Sequence, residues 1–346
     1  MAAFQHLRWR RAYTTHGRTR GWYIPQVKKA PRVFLGTSSF TAPGWEKTFY
    51  PPGLAPREYL SHYARHYYTL EIDSTFYSKP SSAVVNGWNA KTPDNFVFAV
   101  KVPQAITHEK VLSACQPEMD EFIGVMSLLG GKLGPMVLQF PYFNRSAFRS
   151  PAEFLARLAP FLKCLPRDKM FAVEIRNKNW LTPEFAGLLR EHSVALVLQD
   201  QSWMPGYDEL ESKFDPITAD WTYIRWLGDR KGIEQLTTTW EKEVIDRSES
   251  MRNWVEVCYR IQKRGVTIFA YANNHYSGFA PGTLKMFLNF WNEKKLPPID
   301  MPDPSENVST PTDAAPDAFG GPRTRRNAGT RKSERIECER PKTLFD

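Results

Sequence analysis

The stretch Met170-Phe171-Ala172-Val173-Glu174-Ile175-Arg176 is a short apolar run that ends in charge. Side chains of a strand alternate between its two faces, so Glu174 and Arg176 share one face at the carboxyl end of the run. Seven other short runs surround it in sequence: Val33–Ser39, Thr69–Phe76, Phe96–Val102, Pro135–Phe140, Ala195–Asp200, Thr222–Leu227 and Thr267–Asn273. Several carry the same late charge. Glu71 and Asp73 are two apart, Lys101 follows Val97 and Ala99 in parity, Arg225 follows Tyr223, and Asn273 and His275 follow Tyr271.

Amphipathic stretches separate most of these runs. Pro151 to Leu165 opens with Ser150 as N-cap and Glu153 three residues on, Thr182 to Arg190 is a second helical stretch, and Glu234 to Arg264 is a long third. Eight strands with intervening helices predict an α/β chain closed as a (β/α)8 TIM barrel. An open doubly wound sheet would carry a Gly-x-Gly-x-x-Gly turn, which is missing. Charges on one strand face, all at the same end, then imply a common mouth, which is where barrels of this kind build their sites.

The barrel does not use the whole chain of 346 residues. Residues 1–30 read as a disordered basic leader, 31–295 as the barrel and 296–346 as a disordered tail rich in Pro, Thr, Ala and Gly with an Arg/Lys cluster. The formal charge of +9 belongs to the leader. Residues 1–32 hold eight bases and no acid, residues 301–346 hold eight of each, and the remainder holds 30 bases against 29 acids. A near-neutral barrel gives no general attraction to nucleic acid. No run approaches the roughly 20 apolar residues of a membrane span. The four cysteines, Cys115, Cys164, Cys258 and Cys338, lack metal-ligand spacing and read as packing residues in a reducing compartment. The expected location is cytoplasmic, with mitochondrial import as the alternative because the leader is Arg-rich and acid-free.

Six segments now stand in order: Leu35-Gly36-Thr37-Ser38; Phe49-Tyr50-Pro51-Pro52-Gly53; Glu71-Ile72-Asp73-Ser74-Thr75-Phe76-Tyr77; Phe98-Ala99-Val100-Lys101; Ala172-Val173-Glu174-Ile175-Arg176 with Trp180; and Asn273-Asn274-His275-Tyr276-Ser277-Gly278-Phe279-Ala280-Pro281. Together, from about Val33 to Trp291, they resemble domain-of-unknown-function family 72, the YecE-like proteins. The resemblance implies a TIM barrel, likened in fold to xylose isomerase and endonuclease IV, and assigns no activity. Three positions depart from the family pattern: Asp73 stands for Asn, Asn177 for His and Leu227 for His. A mechanism resting on imidazoles at the last two positions is therefore not expected.

Within the mouth, the catalytic candidates are Glu174, Glu71, Lys101 and His275. The substrate-binding candidates are Arg176, Arg225, Asn273, Asn274, Thr37, Ser38, Asp73 and Gln139. Glu174 beside Arg176 could be an acid or base next to an anion-binding guanidinium, or a buried ion pair without chemistry. As a strand-end carboxylate facing a polar mouth, it is expected to be partly solvated. Asp73 could pair with Glu71 and raise its pKa, or cap the following turn with Ser74 and Thr75. Lys101 fits a charge partner better than a Schiff-base nucleophile. The Asn pair could bind substrate or close the turn before Gly278.

Glu71, Glu174, Asp200 and His275 could hold a single Mg or Mn ion, while too few histidines remain for a multinuclear zinc site; no cofactor is required. Gln139 and Arg225 stand where a retaining glycosidase would carry carboxylates, against that activity. Trp45, Trp180, Trp203 and Trp226 could stack a ring at the mouth or simply pack. The expected function is acid/base chemistry, with or without a metal, on a small anionic and potentially phosphorylated substrate. The alternative is a nucleic-acid-binding barrel.

Overall fold

A computed structural model describes residues 32–305. The leader and the tail beyond residue 305 lie outside the described residues. Eight parallel strands run in the order β1-β8-β7-β6-β5-β4-β3-β2. They are β1 (Val33–Thr37), β2 (Thr69–Ile72), β3 (Val97–Lys101), β4 (Leu133–Gln139), β5 (Phe171–Glu174), β6 (Ala195–Asp200), β7 (Trp221–Trp226) and β8 (Thr267–Ala272). All eight expected runs are strands, and the chain is a (β/α)8 barrel. The principal helices are α1 (Ser82–Ala90), α2 (Gln116–Met126), α3 (Pro151–Cys164), α4 (Pro183–Glu191), α5 (Ser248–Lys263) and α6 (Ala280–Glu293).

Two cores follow from strand parity. Phe34, Ala99, Val137, Ala172, Val197, Tyr223, Phe269 and Tyr271 fill the barrel, and a larger apolar layer lies between strands and helices. The helix ends obey local chemistry: the Ser150 side chain accepts from the Glu153 amide, and Thr182 accepts from Phe185.

Two expectations need correction. The Glu234–Arg264 stretch is not one helix. A short helix at Arg230–Glu234 ends before the β-branched run Thr237-Thr238-Thr239, and α5 starts only at Ser248. Its apolar period begins with Met251, Trp254, Val255 and Cys258. The intervening loop is instead tied to the barrel rim through Trp240 N–H to Pro43 O at 2.8 Å and Val244 N–H to Ser277 O at 2.6 Å. Nor does ordered chain stop at residue 296. Leu296, Ile299 and Met301 pack on the core, Asp300 pairs with Arg32 at 2.8 Å, and Pro304 O accepts from Arg65 at 2.6 Å. Composition alone hid these contacts because three apolar residues among prolines and acids look like unstructured chain.

The barrel is closed unevenly. Backbone ladders join every neighbouring pair except β1 and β2. There the Tyr63 hydroxyl accepts from Thr37 N–H at 2.9 Å and donates to Thr69 O at 3.1 Å, bridging the seam from a fully buried position. Gly36 permits this approach, since a Cβ at that position would be driven into the Thr69 carbonyl. Tyr63→Phe removes the bridge and leaves a buried donor and acceptor without a partner, so it should cost about 1–3 kcal/mol per unsatisfied group. Denaturant unfolding measures this; unchanged stability would show that the seam holds without the hydroxyl.

Candidate active site

The carboxyl ends of the strands carry a continuous charged network, and its centre is Arg225. The guanidinium enters from β7 with the parity of Trp221 and Tyr223, so it points into the barrel, where the residue is 2% exposed. One terminal nitrogen lies 2.8 Å from Glu71 Oε1 and the other 2.9 Å from Glu174 Oε2. Gln139 Oε1 accepts at 3.2 Å, and Asp73 Oδ1 lies at 3.5 Å. Tyr223 donates its hydroxyl to Glu71 Oε2 at 2.6 Å. The free oxygen of Glu174 pairs with Arg176, which in turn donates to Gln201 Oε1. Lys101 Nζ sits 3.3 Å from Asp73 Oδ1 and 4.4 Å above the Phe76 ring.

Three cations thus meet three carboxylates, and every cation already has a protein partner. Glu71 and Glu174 are fully buried, which overturns the expectation that Glu174 is partly solvated. Glu174 is the last residue of β5, and its two oxygens are enclosed by the ion pairs with Arg225 and Arg176. The groups that reach solvent are those above: Asp73, a third exposed, and to a lesser degree Arg176 and Lys101.

The two floor carboxyls are driven apart. Burial raises the pKa of Glu71, Asp73 adds to it, and the opposing Arg225 does not cancel the effect. Burial also works to raise Glu174, but Arg176 and Arg225 together outweigh it and hold its pKa below the usual carboxylate range. Arg225, despite burial, is held firmly charged by Glu71 and Glu174.

The remaining candidates divide. Asp73 opens the 3-10 turn Asp73–Phe76, yet its carboxylate serves the ion pairs; the backbone is bonded instead by Thr75, whose hydroxyl contacts Ile72 O and both backbone groups of Lys101. Thr37 is buried in the β1–β2 seam, and Ser38 faces Ala272 O, so neither hydroxyl joins the network. Asn273 caps the short helix Asn274–Ser277, accepting from His275 N–H at 2.9 Å. Asn274 Oδ1 accepts from Trp45 Nε1 and from Ala280 N–H, tying two loops. His275 contacts Asn273, Glu234 and Trp240, apart from the Arg225 network; burial lowers its pKa against the pull of Glu234. Asp200 has the opposite parity to Val197 and points outward, to Ser250, Trp254 and Tyr276. Of the four suggested metal ligands, Glu71 and Glu174 share Arg225 while Asp200 and His275 lie elsewhere, and no three His, Cys, Asp or Glu side chains among the described residues gather as a metal site. Trp45, Trp180 and Trp226 are buried packing residues, while Trp203 is exposed.

Sequence reasoning passed over two members of the site. Gln201 lies beyond the strand end, where parity no longer applies. His108 stands on a π-helical turn, Ala105–Glu109, and meets Phe76 edge-on at 4.9 Å. Burial, Lys101 and Arg176 push its pKa down to about 4. After this turn Val111, Leu112 and Ala114 adopt φ of 45, 66 and 46°, a run of left-handed non-glycine residues beside the mouth. Such strain persists only where surrounding contacts impose it.

No helix among the described residues is long and apolar enough to cross a membrane. Residues 34–307 match the family model described as "Protein of unknown function DUF72". UPF0759 protein YecE of Escherichia coli K12 is 32% identical over 145 residues, covering 42% of this chain and 48% of that protein. YunF of Bacillus subtilis is 29% identical over 159 residues, covering 44% and 54%. The chain spans about half the length of these curated relatives in the matched regions. Among solved structures, a DUF72 family protein of Thermotoga maritima superposes with TM-score 0.59 at 26% identity, covering 75% of this chain and 99% of that one. One from Enterococcus faecalis V583 gives 0.54 at 20%, covering 76% and 98%. With the match running through all eight strands and the charged mouth, the chain belongs to the DUF72 family.

Proposed function

We propose that the mouth is the active site of an enzyme that uses acid/base chemistry on a small anionic substrate, a phosphorylated one included. The observation that carries this reading is the opposite displacement of two carboxyls sharing one guanidinium, Glu71 upward and Glu174 downward. Paired titratable groups whose environments push them apart are how one site keeps an acid and a counter-charge at the same pH. Glu71 is the member more readily protonated, and Glu174 the charge that fixes Arg225 and Arg176. Lys101 and Arg176 receive the substrate anion, which competes with Asp73 for them. The Asp73–Arg225 contact, at 3.5 Å, is the longest of the network, so displacing Asp73 uncovers Glu71 at the least cost.

The rim favours a second reading, a barrel that holds nucleic acid. Tyr77, Tyr142 and Trp203 are exposed on the loops after β2, β4 and β6. Arg145, Arg149 and Lys178 stand after β4 and β5, and their side chains form no ion pair with an acidic residue among the described residues. Bases can stack on such rings while cations track phosphate.

Inorganic phosphate and pyrophosphate, titrated calorimetrically into the full chain, test the first reading. Saturable binding is expected, with Lys101→Met weakening it roughly tenfold or more, about 1.4 kcal/mol. The melting temperature of that variant should barely change, since its partner Asp73 is partly solvated. Glu174→Gln should behave oppositely: it strips the buried Arg225 guanidinium of one of its counter-charges, and Arg176 of its own, and should cost about 3–5 kcal/mol of stability. Wild-type anion affinity in Lys101→Met and Arg176→Met would sink the proposal, and tight binding of single-stranded oligonucleotides that falls steeply with salt would favour the second reading.

The titrations also set the response to acid. The stabilisation from Glu174 is complete above the ordinary value of 4.5 and is lost as pH falls through its lowered folded value. His108, displaced from 6.5 to about 4, withdraws stability as pH falls between those values, because the unfolded chain takes up the proton first. Glu71 has the opposite sign: its raised value favours the folded state on acidification. The melting temperature should therefore begin to fall near pH 6.5, and His108→Gln should remove part of the decline. A flat profile down to pH 4.5 would contradict these assignments.

A further inference from the structure

Two histidines between β1 and β2 face one another. His62 lies on the short helix Tyr59–Tyr63, and the helical turn runs on past its end through His66 N–H to Tyr63 O at 2.9 Å. Four residues apart on one turn, their side chains share a face. The two Nε2 atoms stand 3.1 Å apart while the ring centroids are 4.8 Å apart, so the rings lean together at their nitrogen edges. The Phe49-Tyr50 segment braces them. Phe49 meets His62 edge-on at 5.7 Å and lies tilted against His66 at 5.1 Å, and Tyr50 meets His62 edge-on at 5.5 Å. The Phe49 backbone also hydrogen-bonds the His62 ring, a contact of the kind that orients a metal-ligating imidazole.

None of these contacts involves the Arg225 network, and the pair takes no part in the mouth. Two nitrogens at this spacing cannot both carry hydrogen toward each other, so at least one lone pair is presented between them. A metal ion bonded to both at about 2.0–2.1 Å, the usual zinc–imidazole length, would subtend about 100° across the 3.1 Å gap, between the octahedral and tetrahedral angles. Both residues are half-buried, which leaves an ion a way in and lets water complete its shell. Burial lowers the pKa of each ring, that of His66 to about 4, so at neutral pH protons do not compete for the nitrogens. Arg65 opposes a cation here, but its exposed guanidinium is turned to Pro304 O at 2.6 Å, where solvent screens it.

We propose that His62 and His66 form a site, separate from the mouth, for a late divalent transition-metal ion such as Zn2+ or Cu2+. Imidazole suits these ions, whereas Mg2+ takes oxygen ligands. No third His, Cys, Asp or Glu joins the pair among the described residues, so the site is open and exchangeable rather than a closed structural one. The ion would clamp the turn that presents Tyr63 to the β1–β2 seam, and so stabilise the fold by mass action.

Zinc chloride, titrated calorimetrically into the full chain, is the first probe, with magnesium chloride as control. Zn2+ should bind saturably and raise the melting temperature, and Mg2+ should do neither. His62→Asn and His66→Asn should each weaken Zn2+ roughly tenfold or more, and the double variant should lose the thermal shift. Cu2+ supplies a second readout: its paramagnetic resonance spectrum should show coupling to two imidazole nitrogens in the wild type and to one in each single variant. Melting without metal checks that the variants fold; should one fail, the other variant and the wild-type copper spectrum still decide. A His6→Gln/His16→Gln variant should bind as the wild type does. The proposal is overturned by absence of saturable Zn2+ binding, by wild-type affinity in the folded His62 or His66 variants, by a wild-type copper spectrum with a single nitrogen, or by loss of binding in the His6/His16 variant.

Discussion

A single guanidinium, that of Arg225, decides what the upper half of this barrel can be. A buried charge is tolerated only when paired and hydrogen-bonded, and here it is satisfied from β2, β4 and β5 at once, through Glu71, Gln139 and Glu174. Each partner is itself fixed by another contact: Tyr223 on Glu71, and Arg176 on Glu174. The registers of β2, β4, β5 and β7 are thereby tied together above the apolar layers. Displacing any one strand by a residue would turn its charge outward into the helices. The network is thus a structural requirement before it is a chemical one, and the solvent-reaching Asp73, Lys101 and Arg176 are what it holds in position.

Much of this was legible in the sequence because strand parity is a strict period of two. Charges at 71, 101, 174, 176 and 225 fall on the inward face by counting alone, and the fold places them there. The parity rule lost its grip where strands end. Asn273, Asn274 and His275 keep the count on paper, but the chain turns into a short helix after Asn273, and their side chains are spent on caps and loop ties. Gln201 lies past a strand end and His108 on a single π-helical turn, where no periodicity announces them. Thr37 and Ser38 stand apart from the network for a different reason: a hydroxyl at a strand end serves a barrel seam as readily as a ligand, and three-dimensional closure gives theirs to the seam and to Ala272 O.

The degree of burial was the least legible quantity. Glu174 has the composition and position of a mouth carboxylate, yet two arginines converge on it and exclude water. Sequence reports which side of a strand a charge occupies; how deep it lies depends on the neighbours that arrive from distant segments. The same holds for residues 296–305, whose few apolar side chains find partners only once the barrel surface exists.

The seam at Tyr63 has a consequence for assembly. β1 is joined by a full ladder to β8, its partner more than 230 residues away, and to its sequence neighbour β2 mainly through one side-chain hydroxyl. During synthesis β1 emerges first and its true partner last, so it must wait as an unpaired edge while seven strands are made. Contacts of such separation fold slowly and leave strand edges open to wrong pairing. The short, five-residue length of β1 and its penultimate Gly36 make it a poor template for other chains in that interval.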